Sequence, residues 1–181
     1  GVRQLQRAIG KIYRAAAVKK ARGELKEALV VTIDDLKEHL SRQVFHKHEH
    51  DLPGRPGIAT GLAWTPTGGE VLYIESETMP GNGKLVLTGQ LGDVMKESAR
   101  AALTYVLAHA EKLGIPTDAL ERRDLHIHIP AGAVPKDGPS AGITMAVALI
   151  SALSGRKARR DVAMTGELTL TGRVLPIGGV K

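Results

Sequence analysis

Ser140 stands in "PKDGPSAGIT" (residues 135–144), at the mouth of a small, apolar run. Its hydroxyl has two possible tasks there. As a helix cap, its oxygen accepts a backbone N–H. As a nucleophile, it attacks a carbonyl, and a base must then take its proton. Ala141 and Gly142 are small and let another chain approach closely. Unpaired N–H groups at a helix start suit a developing oxyanion. For the base, the sequence offers imidazoles and amines. His126 and His128 alternate in "LHIHIP", so both project from one face of a strand, with Asp137 or Glu167 to orient a ring. The same spacing suits polar residues on the solvent side of a strand. A lysine becomes a base only where burial lowers its pKa from the usual ~10.4. Lys136 lies in a polar loop and is expected to point to water, whereas Lys181 follows the apolar, glycine-rich "PIGGV".

Other chemistries find less support. His46, His48 and His50, together with His126 and His128, are metal-ligating types, but the first three sit in a linker-like stretch with no fourth ligand. The chain has no cysteine, so disulfides and thiolate sites are excluded, and no metal is expected. No G-x-x-x-x-G-K-[ST] phosphate loop occurs.

The elements that must position Ser140 can be read from periodicity. Val2, Leu5, Ile9, Ile12 and Ala16 form one stripe of an amphipathic helix that Gly23 stops. Leu29–Val31 is a short strand candidate. Thr32 and Asp35 have capping-box spacing for a helix running through Leu40. Residues 45–57, "FHKHEHDLPGRPG", have no apolar period and read as a linker. Beyond it, "IATGLAW" and "EVLYIES" read as hairpin partners, and "KLVLTG" as a further strand. A long helix is expected over Asp93–Leu113, stopped by Gly114 and Pro116. "LHIHIP" alternates as a strand, and residues 131–139 form a Gly/Pro-rich loop. Ser140–Leu153 is apolar on all sides and should be a helix buried all round. "DVAMT" and "RVLPI" read as strands flanking "GELTLTG".

At 181 residues with 43% hydrophobic content, the chain can build a real core. No run approaches the ~18–20 apolar residues of a membrane span, and no signal-peptide pattern opens it, so a cytoplasmic setting is expected. Residues 1–50 hold 11 Lys/Arg against 6 Asp/Glu, whereas residues 51–181 hold 14 against 13. Any nucleic-acid reading therefore rests on the first segment, where a solvated helix face is the simpler account.

Four stretches in order carry a resemblance: "GLAWTPTGGEVLYIE", "LTGQLGDVMKESARAA", "PKDGPSAGIT" and "DVAMTGELTLTGRVLPIGGVK". Together they resemble the proteolytic domain of the bacterial Lon proteases, ATP-dependent AAA+ enzymes. The resemblance covers residues 58–181. Residues 1–44, beginning "GVRQLQRAI", resemble the end of the AAA+ small helical subdomain, with 45–57 as the linker. It implies an α+β fold with a mixed sheet, hairpins and packed helices, incomplete at its C-terminus. It also implies a serine endopeptidase using a Ser–Lys dyad, with Ser140 as the nucleophile. Thr165 is then expected to hydrogen-bond the catalytic lysine. Glu167, His126 and His128 lie near the site, and Asp137 belongs to the loop whose conformation separates open from blocked sites. Arg3 matches a sensor arginine that reaches ATP. The family motif is G-G-x-K-E-K with the second lysine in the dyad, so the base is expected two residues past Lys181, with Lys181 only a fallback. On that expectation the 181-residue piece alone is inactive. ATP and Mg are expected in an ATPase module upstream, and none in the proteolytic domain. The resemblance further implies a homohexamer degrading unfolded or damaged proteins in quality control and the stress response. The alternative is a basic nucleic-acid-binding or non-catalytic assembly module, with non-specific DNA a possible partner.

Overall fold

The computed structural model describes residues 2–25, 27–40, 54–65, 68–116, 118–130 and 134–178. The chain forms two compact units, Gly1–Asp51 and Leu52–Lys181.

In the first unit, α1 (Val2–Ala21) carries six basic residues and no acidic one, and α2 (Leu36–Leu40) packs on it. Lys19 pairs with Glu38 at 3.0 Å. The Thr32 N–H and hydroxyl both donate to Asp35 Oδ2, at 2.8 and 2.7 Å, which builds the turn before α2. These bonds hold the Asp35 carboxyl below its ordinary pKa. Leu29–Val31 is not a strand. Val30 is 79% exposed, and among the described residues of this unit there is no strand to pair with it. A lone extended segment leaves its backbone to water.

The second unit is mixed α and β, as the sequence pattern implies. β1 (Ile58–Thr65) and β2 (Gly68–Pro80) form the expected antiparallel hairpin. β4 (Arg123–His128) pairs antiparallel with β2 and parallel with β3 (Leu85–Thr88). The short β5 (Ala163–Met164) runs parallel to β1 at Thr60 and Gly61, giving the order β3-β4-β2-β1-β5. Alternation divides this sheet into two faces. Ala59, Ile74, Leu125 and Ile127 are buried on one, and their neighbours His126 and His128 lie on the other.

Where a single helix was expected over 93–113, there are two: α3 (Asp93–Ala108) and α4 (Ala110–Leu113). His109 breaks the run. Its backbone N–H and ring Nδ1 both reach the Tyr105 carbonyl, at 3.1 and 2.9 Å, and its ring stacks on Tyr105. Gly114 then ends α4 in the left-handed conformation. α5 (Gly142–Ser154) lies between α3 and the β1–β2 hairpin. Its Thr144, Met145, Ala148 and Leu149 are fully buried, whereas Ile143, Val147 and Ile150 along one stripe are only partly buried, so the helix is not buried all round as expected. The polar members of α5 find partners. Thr144 Oγ1 donates to the Met164 carbonyl at 3.0 Å, and the Gly57 N–H donates to Ser151 Oγ at 2.9 Å. β6 (Glu167–Leu168) and β7 (Val174–Leu175) form a separate two-stranded ladder.

Candidate active site

Pro139–Ala141 form a single 3-10 turn that leads into α5. Proline is well placed at such a start, because its missing N–H is one a helix leaves unpaired. Ser140 is half-buried in this turn. It is not a cap: Gly138 and Ala141 hold the cap positions, and neither helix start has a side-chain cap. Among the described residues, the Ser140 hydroxyl makes no hydrogen bond. A half-buried hydroxyl left unused at the entrance of a helix is suited to attack.

The turn is held from two sides. On one side stands the segment after β5. The Ser140 carbonyl accepts from the Gly166 N–H at 2.7 Å and from Thr165 Oγ1 at 3.3 Å. The Ile143 N–H returns to the Gly166 carbonyl at 3.2 Å. Thr165 therefore lies against the backbone of Ser140. Glu167 follows, half-buried and paired with Leu175.

On the other side stands α3. Ser98 Oγ donates to the Pro139 carbonyl at 3.2 Å. Asp137 Oδ1 accepts from the Met95 and Gly138 N–H groups, each at 2.9 Å. α3 has Gly92 at its own cap position, with no side chain to use, so Asp137 supplies the cap from far along the chain. Gly92 must be bare for this: a Cβ there would stand 2.2 Å from Asp137 Cγ. Asp137 thus spends its carboxylate on α3, and among the described residues no bond joins it to either histidine.

Lys136 does not point freely to water as its loop suggested. Its Nζ donates to the carbonyls of Val134 at 3.1 Å, Gly89 at 3.2 Å and Ile129 at 3.5 Å. Burial lowers its pKa, and Glu70 pulls the other way.

His126 and His128 lie on the sheet face opposite the buried Leu125 and Ile127. Thr88 Oγ1 stands between them, 2.8 Å from His126 Nε2 and 2.7 Å from His128 Nδ1. A hydroxyl has one proton, so when it donates to one ring it accepts from the other. Across the ladder, Glu77 faces His126 and Glu75 faces His128. Among the described residues, no hydrogen bond joins either imidazole to Ser140. Arg3 is exposed in the first turn of α1. Lys181, His46, His48 and His50 lie outside the described residues. No group of three metal-ligating side chains occurs among the described ones, and no described helix is long and apolar enough to cross a membrane.

Residue types alone did not single out Ser98, Gly92 or Gly166. Their signals were weak. Gly92 precedes an acidic helix start, and Ser98 lies on the same face of α3 as Met95 and Ala102.

Comparison with known proteins gives the chain's family. Residues 30–181 match the family described as Lon protease (S16) C-terminal proteolytic domain. The chain is 60% identical over its whole length to Lon protease 1 of Sorangium cellulosum, and covers 22% of that protein. It is likewise 60% identical to the Lon protease of Roseiflexus castenholzii and 58% to that of Mycolicibacterium smegmatis, covering 22% and 23% of them. The chain thus spans less than a quarter of the length of these relatives. Over residues 30–181 and at 60% identity along its whole length, the chain belongs to the Lon protease proteolytic-domain family.

Proposed function

We propose that this chain is the peptide-hydrolysing part of a Lon-type protease, with Ser140 as its nucleophile and a lysine as the proton acceptor. The observation that carries this reading is the uncommitted Ser140 hydroxyl at the entrance of the buried helix α5. The lysine is the one that the family pattern puts two residues after Lys181. It takes the hydroxyl proton, and Ser140 Oγ attacks the peptide carbonyl. The Ser140 N–H, at the donor-rich start of the turn, faces the oxyanion that forms. The proton passes to the leaving amine, and water then hydrolyses the acyl-enzyme. Thr165, already against Ser140, orients the lysine, with Glu167, His126 and His128 as outer members of the site.

In the parent protein, the same reading makes the substrates unfolded or damaged proteins. A homohexameric AAA+ ring holding ATP and Mg delivers them, Arg3 reaches the nucleotide, and the work is cytoplasmic quality control under stress. Its support is the family resemblance of the sequence, together with relatives more than four times as long as this chain. The test is covalent labelling of the full-length parent with a fluorophosphonate, followed by peptide mapping. The adduct is expected on Ser140, and an adduct on a different serine overturns the assignment.

Non-specific DNA binding is a second reading, favoured by one observation: α1 carries Arg3, Arg7, Lys11, Arg14, Lys19 and Lys20 without an acidic residue. Phosphate contacts release counterions, so affinity for a random duplex should fall at least tenfold between 50 and 200 mM salt. Salt-independent binding, read by fluorescence anisotropy, removes this reading.

A further inference from the structure

We infer that Lys136 is a positioning residue for the reaction at Ser140: its ammonium gathers carbonyls from three segments and so sets where the serine turn stands. This rests on the reading of Ser140 as the nucleophile.

Gly89 belongs to the bend between β3 and α3, Ile129 follows β4, and Val134 precedes Lys136 in the loop. Backbone carbonyls that converge in this way repel one another unless a cation stands among them. Gly89 makes the convergence possible. Its φ is +115°, and a Cβ there would lie 2.3 Å from the Ile129 oxygen. The backbone of Lys136 completes the anchor: its N–H donates to Gln90 at 3.0 Å, and its carbonyl accepts from Gly92 at 2.7 Å. Asp137, next in the chain, ties amides at the start of α3. Two adjacent side chains of opposite charge thus fasten one loop, one to carbonyls and the other to N–H groups. The serine turn begins two residues later. An ammonium whose protons are given to carbonyls is not available as a base. Its burial-lowered pKa reflects the partial desolvation of this position.

The test uses the full-length parent with four variants: Lys136→Met, Lys136→Arg, Lys136→Cys and Ser140→Ala. For a short peptide substrate, Lys136→Met is expected to lower kcat and the fluorophosphonate labelling rate about tenfold or more, with KM within about twofold. Lys136→Arg should recover part of the loss, since a guanidinium also donates to several carbonyls. Lys136→Cys alkylated with 2-bromoethylamine regains an ammonium at the same reach and should recover more. The same variant alkylated with iodoacetamide should not recover. Wild-type kcat and labelling in Lys136→Met overturn the inference, as does equal recovery with both alkylating agents, which would show packing rather than charge. Full activity in Ser140→Ala instead overturns the assignment of the nucleophile, so the two failures are distinguishable. If Lys136→Met does not fold, the two alkylated forms, made from one preparation, still separate charge from bulk.

Discussion

Ser140→Ala in the full-length parent is expected to lower kcat for peptide hydrolysis on the order of 10⁴-fold or more, while the proteolytic domain melts at its wild-type temperature. The two halves of this expectation come from one observation. The Ser140 hydroxyl has no hydrogen-bond partner among the described residues, so its loss removes the proposed nucleophile and no hydrogen bond. Substitutions that touch no such contact shift stability by about half a kcal/mol at most. A capping serine would behave in the opposite way. Its loss would cost about 1 kcal/mol of stability and leave turnover alone. Calorimetry and a fluorogenic peptide assay on the same preparation separate the two cases. A lowered melt with retained turnover would return Ser140 to the role of a cap.

Gly142→Val should lower the stability of the domain at the start of α5. A Cβ at Gly142 would stand 2.9 Å from the Leu168 backbone nitrogen and 2.9 Å from Ser98 Oγ. The first of these neighbours is backbone in β6 and cannot rotate away. Either the β6–β7 ladder moves off α5, or the helix start lifts from α3. Overpacking of this kind costs about 1–3 kcal/mol, and more where backbone must shift. In a domain of this size each kcal/mol lowers the melt by roughly 2–4 °C. A drop of several degrees is therefore expected in differential scanning calorimetry. Labelling of Ser140 should slow as well, because both supports of its turn are disturbed. Gly142→Ala should show a smaller drop. An unchanged melt for the valine variant would mean that β6 does not pack on α5 as described.

Much of the fold was legible because one-dimensional patterns report burial. The apolar residues of α5 foretold a helix packed between α3 and the hairpin. The alternation in "EVLYIES" and "LHIHIP" foretold β2 and β4. The Thr32–Asp35 turn was legible because its bonds are local. Other features depended on neighbours that a local pattern does not contain. Leu29–Val31 has strand-like residues and, among the described residues of its unit, no strand to pair with. The break at His109 lies in the backbone of one residue, φ −117° and ψ 17°, which an apolar period does not report. At the site, Ser140 was legible as a candidate, whereas the group fastening it was not. Asp137 was a plausible orienter of histidine by type, and its role as the cap of α3 follows from Gly92 having no side chain. Lys136 looked solvent-bound because its loop is polar, yet its acceptors include carbonyls at Gly89 and Ile129, which only the folded sheet brings to it.

The two clamps on the Ser140 turn also bear on when the turn takes its shape. Ser98 reaches it from 41 residues away and Thr165 from 25, so its geometry is borrowed from distant parts of the chain. Contacts of such separation form late in folding, because long loops must close before they are gained. A chain still folding, or one whose α3 or Thr165–Gly166 segment has come loose, carries the hydroxyl without the geometry. Damage to either clamp therefore changes the setting of Ser140 without touching it.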